Sequence, residues 1–373
     1  MIEIISGSSY SELNNSIDSF NVSSPFLDIS FFQALEKSKS VGEDTGWISF
    51  PIIAKSNNEI VGFMPIFLKE HSYGEYVFDY AWADAFHRNN LNYYPKMISA
   101  IPFTPLSGSR VIAKSHEIKK LMIKSIEKIL IKHKISSCHI LFPDEKDHAL
   151  FEEMGWLSRK GVQFKWQNNE YETFNQFLGT LSHNKRKKIK QERKKIELNK
   201  IIIERKQGKD ISDDDIDFFY KCYCETYRLH HSMPYLKKLF FYELVKSMPS
   251  RVLLILAKKD GINIASAFNI IGRDTLYGRY WGALEFFSGL HFELCYYQGQ
   301  EFCIDNKIKY FEGGAQGEHK LARGFKPFKT FSNHFIAQPE FRDAISIFLN
   351  DESNRINEYS DELENRTPYK KTI

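Results

Sequence analysis

Residues 312 to 327, EGGAQGEHKLARGFKP, hold four glycines, two carboxylates, one histidine and four basic or amide side chains between two apolar runs. Those groups suit the attack of an amine on a thioester or ester. The amine must lose a proton, the developing oxyanion needs a donor, and both partners must be held in position. His319 is the first choice as base because the unperturbed imidazole pKa lies near neutrality, and Glu318 is the second. Lys320, Arg323 and Lys326, or backbone N–H groups of the glycine loop, could hold the oxyanion or a phosphate. Neighbours in an extended loop point to opposite sides, so the group orienting His319 is expected from elsewhere, with Glu293 or Glu312 first in line.

A second polar stretch spans residues 69 to 110, where acids and histidine are interleaved with Tyr73, Tyr76, Tyr80, Trp82, Tyr93 and Tyr94. Rings supply contact area and carboxylates orient donors, which suits a substrate carrying an amine or hydroxyls; an aromatic-rich domain interface is the competing reading. The expected substrate contacts are His71, Glu75, Asp79, Tyr80, Trp82 and Asp84 here. In the second half they are Arg279, Tyr280, His291, Glu293, Glu312, Gln316, Lys320 and Arg323. A third segment, 182 to 200, carries nine Lys or Arg against two Glu. Ile189 and Ile196 pin one helical stripe, leaving Arg186, Lys190 and Arg193 as an exposed row for phosphates, or as a plain solvated face.

Other chemistries lack their motifs. No H-E-x-x-H or similar spacing gathers metal ligands, so no metal is expected, and no G-x-S-x-G elbow, Walker loop or dinucleotide fingerprint occurs. The five cysteines are scattered without a C-x-x-C pair, which points to reduced packing residues.

These groups need a scaffold. At 373 residues and 42% hydrophobic content the chain fits two domains. IIAKSNNEIVGFMPIF from Ile52 and ILAKKDGINIASAFNI from Ile255 align without a gap, each reading as strand, tight turn, strand. That pairing predicts a duplicated α/β (α+β) fold, divided at 1–168 and 169–373, with the basic helix in the second domain. A helix is expected after the N-cap Ser115, a strand over SSCHILFP, and helices over DDDIDFFYKCYCETYRLH and HFELCYYQGQEFCIDN. The stretch 312–327 reads as a loop between two strands. The N-terminus lacks the pattern of a signal peptide and no apolar run is long enough for a membrane span, so a cytoplasmic chain is expected. A net charge of +4 is too balanced for a general nucleic-acid coat.

Several stretches resemble the FemAB-like family of bacterial proteins: residues 71–110, RKGVQFKW, KRKKIKQERKKI, YGRYWGA, residues 290–327 and TFSNHF. The resemblance runs from Pro25 to His334. It implies tandem GNAT-like (acyl-CoA N-acyltransferase) domains and an N-acyl or aminoacyl transferase joining an activated donor to an amine, a cell-wall precursor among the acceptors. Acyl-CoA or aminoacyl-tRNA would be the co-substrate, and tRNA a partner. The site would lie in a cleft between the domains, and Phe325-Lys326 resembles a Phe-Lys pair near the acceptor in the Fem aminoacyltransferases, making Lys326 a catalytic candidate. Two features depart from the pattern: the Q-x-x-G-x-G or A pyrophosphate loop is absent, and the coiled-coil arm of some Fem enzymes is reduced to one basic helix. The other reading is a binding module that recognises a glycan or amino-sugar on a degenerate transferase fold.

Overall fold

The structure, a computed structural model, describes residues 2–13, 20, 22, 24–314 and 317–370. Contacts divide the chain into two units: Met1–Val162 with Lys329–Tyr359, and Gln163–Phe328 with Ser360–Ile373.

The first unit opens with β1 (Ile2–Ser6), α1 (Ile29–Lys37), β2 (Trp47–Ser49), β3 (Ile52–Ser56), β4 (Glu59–Met64) and β5 (Ile66–Lys69). It continues through α2 (Tyr80–Arg88), β6 (Lys96–Ser99), β7 (Ile112–Ala113), α3 (His116–His133), β8 (Ser137–Leu141) and α4 (Glu145–Glu153). Strands β1-β3-β4-β7 form one sheet, and β6 joins antiparallel β5 to parallel β8 in another. Helix α3 begins where Ser115 accepts from the Ile118 N–H, as its sequence predicts. Ile118, Met122, Ile123, Ile126 and Leu130 then line one face and pack on Ala54, Met64, Met97, Cys138 and Ile140. Full burial of one such side chain is worth about 1.5–3 kcal/mol.

Strand β9 (Leu157–Gln167) carries the chain into the second unit. There follow α5 (Phe174–Thr180), α6 (His183–Leu198), β10 (Ile202–Gln207), α7 (Asp213–Leu229), α8 (Lys238–Ser247), β11 (Val252–Lys259), β12 (Ile262–Ile271) and β13 (Thr275–Ala283). A helix over 290–305, α9, leads to β14 (Tyr310–Glu312), and the sheet runs β10-β11-β12-β13-β14-β9. Gly282 of β13 lies so close to the Cys222 carbonyl that any Cβ would collide with it, so glycine is what lets α7 seat on the strand. β15 (Lys326–Ile336) leaves this unit, and α10 (Pro339–Asn365) closes the fold.

The two hairpins are equivalent in detail. Asn57 and Asn58 have φ of 50° and 66°, Asp260 and Gly261 have 51° and 80°, the positive values that a two-residue turn with the right twist requires. Each ladder slips register at the same aligned place, between Ala54 and Lys55 and between Ala257 and Lys258. Each first strand also pairs antiparallel with an outer strand, Ala54 with Ile4 and Ala257 with Ile203. The fold is a tandem duplication. The first unit ends by contacts at Val162 and takes back Lys329–Tyr359, because β15 pairs with β8 from Ser332↔Leu141 to Ile336↔Ser137.

All five cysteines are free. Among the described residues no helix is long and apolar enough to cross a membrane, and no cluster of His, Cys, Asp or Glu could hold a metal ion.

Candidate active site

The 312–327 stretch contains a short 3-10 helix, Glu318–Arg323, between β14 and β15. His319 sits exposed on it, and its Nε2 shares a hydrogen bond with Tyr296 Oη at 2.8 Å. Nδ1 has no hydrogen bond to the described residues. Partial burial, then the charges of Arg323 and Lys320, hold the ring below its usual pKa, so it is neutral at pH 7 and able to accept a proton. Gly317, at φ 118°, leaves room for that ring, which a Cβ would strike.

Helix α9 explains the partner. Its turn Glu293–Tyr297 is π-helical, one residue wider than an α-turn, and such turns concentrate at functional sites. The turn aims three side chains at once. Tyr296 goes to His319, Tyr297 Oη donates to Glu192 of α6, and Glu293 takes the guanidinium of Arg193 at 3.0 and 3.1 Å. The expectation that Glu293 or Glu312 orients His319 is therefore corrected. Glu293 is held by Arg193 and Gln298, while Glu312 faces Lys165 at 3.7 Å and Arg279 at 3.6 Å.

Arg323 is buried and pins the loop. It donates to the His319 carbonyl at 2.8 Å, pairs with both oxygens of Glu192 at 2.9 and 3.0 Å, and lies 3.4 Å over the Phe292 ring. Lys320 is buried too, donates to the Gly314 carbonyl at 2.6 Å, and is pushed by burial and by Arg279 down to about 7. Glu318 is exposed and paired with Arg366. Lys326 is exposed, its ammonium 5.1 Å from the Tyr369 ring, while Phe325 is fully buried against Tyr296 and Phe311. Gln316 lies outside the described residues.

The other second-unit candidates surround this core. His291 meets Trp281 and His319 edge-on and is driven by burial down to about 4. Arg279 occupies the register slip of β13 against β12, with its cation over Tyr277. Tyr280 packs with Tyr223, Phe241 and Phe268. Helix α6 buries Ile189 and Ile196 as its pattern predicts, but the expected exposed row is shorter. Arg193 turns inward to Glu293 and to Glu301 at 2.5 Å and stacks on Phe174, leaving Lys190 exposed and Arg186 partly so.

The first-unit stretch splits by side. Tyr80 is exposed, and Asp84 is exposed and paired with Arg88 at 2.5 Å. Glu75 and Asp79 are buried instead, around Lys96, which is wholly enclosed. Asp79 stands at the N-cap of α2 but does not cap it; its carboxylate goes to Lys96 and accepts from Tyr93 at 2.6 Å. Burial would raise Asp79, yet Lys96 brings it down to about 2, whereas burial wins at Glu75 and lifts it to about 7. The chain of contacts runs on from Tyr93 to His139 at 3.0 Å, from His139 to His334 at 2.8 Å, and from His334 to Ser332 at 2.9 Å. Trp82 sets its ring edge-on to His334, and His71 lies between the Thr45 carbonyl and Lys69.

The sequence pattern does not single out Tyr296, Glu192, Lys96 or His139, and marks Tyr93 only as one ring among several. A π-turn leaves no mark in an apolar pattern, and the buried pairs join residues far apart in the chain. One signal was legible: Glu192 and Glu197 are the only acids among nine basic residues, and an acid in such a run invites a search for its partner.

A family model described as peptidoglycan biosynthesis/recognition, FemAB-like, matches residues 2–371. No curated protein matches significantly. The fold is similar to a crystal structure of FemX, with a TM-score of 0.56 at 11% identity over 91% of this chain and 99% of that one. It is also similar to L-PGS from Bacillus licheniformis, TM-score 0.53, 11% identity, over 90% of this chain and 97% of that one. A conserved protein of unknown function from Bacteroides thetaiotaomicron gives 0.53 at 12% identity, over 89% of this chain and 99% of that one.

Proposed function

The chain belongs to the FemAB-like family, and from that premise we propose that it is a transferase that forms an amide, moving an acyl or aminoacyl group from an activated donor to an amine. The observation that carries this reading is the neutral, exposed His319 held by Tyr296 on a glycine loop. When Nε2–H donates to Tyr296 Oη, the lone pair lies on Nδ1 and takes the proton that the acceptor amine releases as its nitrogen bonds to the acyl carbon. The leaving thiolate or ribose oxygen then takes up a proton, and no enzyme-bound acyl intermediate is needed. Lys326 keeps its charge exposed for the oxyanion or a donor phosphate, because Lys320 and Arg323 are committed to Gly314 and Glu192.

The donor is acyl-CoA or aminoacyl-tRNA, with Arg186 and Lys190 of α6 contributing to its phosphates. The acceptor class that the family description favours is an amine of a peptidoglycan precursor. Incubation of the chain with acyl-CoAs or aminoacyl-tRNA and amine-bearing muropeptides, read by mass spectrometry, should yield an amide product. A bound donor at about 100 times its dissociation constant should stabilise the fold by about 2.7 kcal/mol. No product and no stabilisation with either donor class would refute the reading.

A further inference from the structure

A cavity of about 430 Å³ lies in the first unit between α2 and α10, within the size range of small-molecule sites. Its walls are Trp82 and Ala85 of α2 and Phe341, Ala344, Ile345 and Phe348 of α10. Beneath them sits a core cluster that includes Phe86, Tyr93, Ile336 and Leu349.

The two helices run antiparallel. The Phe86 and Phe341 rings meet at 4.2 Å, which sets the end of α2 beside the start of α10. At the other end Arg159 pairs with Glu352 at 2.7 and 2.8 Å and donates to the Phe78 carbonyl at 2.7 Å. The groove along residues 81 to 89 is therefore about 12 Å long at 1.5 Å per residue, and its two polar lining groups, Asn89 and Glu340, share one end. Asn89 Nδ2 donates to the Ala85 carbonyl at 2.9 Å, so its side chain offers the groove an acceptor, as does the Glu340 carboxylate. Phe348, in the wall, stays 40% exposed.

We propose that this groove binds an amphiphile with a short alkyl chain and a cationic, hydrogen-bond-donating head. The chain replaces water along the apolar walls, and the head meets two acceptors at one end. The Glu340 carboxylate in the lining disfavours an anionic head at the same place. The proposal stands apart from the transferase reading, since none of its residues belongs to the His319 cluster.

Decylammonium, decanol and decanoate, each below its micelle concentration, can be titrated calorimetrically into the full chain. Decylammonium should bind at one site, decanol several-fold more weakly, and decanoate most weakly. Ala344→Trp, at an exposed position, should fill the groove and abolish binding with the melting temperature kept; Ala81→Trp serves if the first variant misfolds. Glu340→Gln should bring the affinity for decylammonium close to that for decanol. No binding of decylammonium, equal binding of all three chains, or unchanged binding in both tryptophan variants would overturn the proposal.

Discussion

The two units use the same side chains for opposite ends. In the first, His139 and His334 are 1% exposed, hydrogen-bonded to each other, and held neutral by burial, with His139 down to about 3. Lys96 beside them is enclosed with two carboxylates. In the second, His319 is exposed, is fixed through one nitrogen, and has no hydrogen bond at the other among the described residues. Burial and full pairing make polar groups into architecture; partial burial with one position left open makes them able to react. In this duplicated fold the exposed, singly held ring is therefore the one placed for chemistry.

Breaking the architectural side should have the largest effect. Lys96→Met takes from Asp79 its paired cation and leaves Glu75 only Lys69 at 4.0 Å, and removing one partner of a buried ion pair costs about 3–5 kcal/mol. Urea unfolding should show that loss, and adding Asp79→Asn should restore part of it. An unchanged midpoint would mean that the cluster does not hold the first unit together.

Acid tests the same cluster more gently. A histidine held below its unfolded pKa lets the unfolded chain take the proton first, so its stability is complete above about pH 6.5 and falls as the pH drops toward the folded value. Glu75, raised from 4.5 to about 7, works the other way, gaining stability as the pH falls across that interval. Two rings against one carboxyl leave about one proton, or about 1.4 kcal/mol lost per pH unit between 6.5 and 4.5. His71, His291 and His319 are lowered as well and add to the loss. Unfolding free energies that rise on acidification would contradict this.

How much of this was legible in sequence follows from distance along the chain. Asn57-Asn58 and Asp260-Gly261 announce their hairpins because the turn is written in adjacent residues. Ile189 and Ile196 announce the buried stripe of α6 for the same reason. His319 could be chosen by type, yet Tyr296, twenty-three residues earlier, could not be matched to it, because its aim depends on the π-turn. Arg193 reads as one more solvated charge until Glu293 and Glu301 are placed beside it. Lys96 lies among the aromatic residues but meets its carboxylates only once the 71–80 segment folds back.

The second unit also buries a lysine, Lys320. It is as buried as Lys96, but among the described residues it forms no ion pair, only the bond to Gly314. Lys320→Met should therefore change the unfolding free energy by no more than about 1 kcal/mol, and a loss as large as that of Lys96→Met would erase the distinction. The smallest effect is expected on α6. Changing Arg186 and Lys190 to Gln should lower donor affinity modestly and reduce its salt slope by about 0.7–0.9 for each phosphate contact removed. An unchanged slope would return the helix to a solvated face.

The proposed role of His319 is to take the proton during amide formation. The direct measurement is the pH–rate profile of single-turnover amide formation, compared between the unaltered chain and His319→Gln, with melting temperatures alongside. The unaltered chain should lose rate on acidification with an apparent pKa below 6.5. The variant should be slower by about 10² to 10⁴ at pH 7, lose that limb, and melt at nearly the same temperature. A variant that turns over at the original rate with the same acid limb would contradict the account.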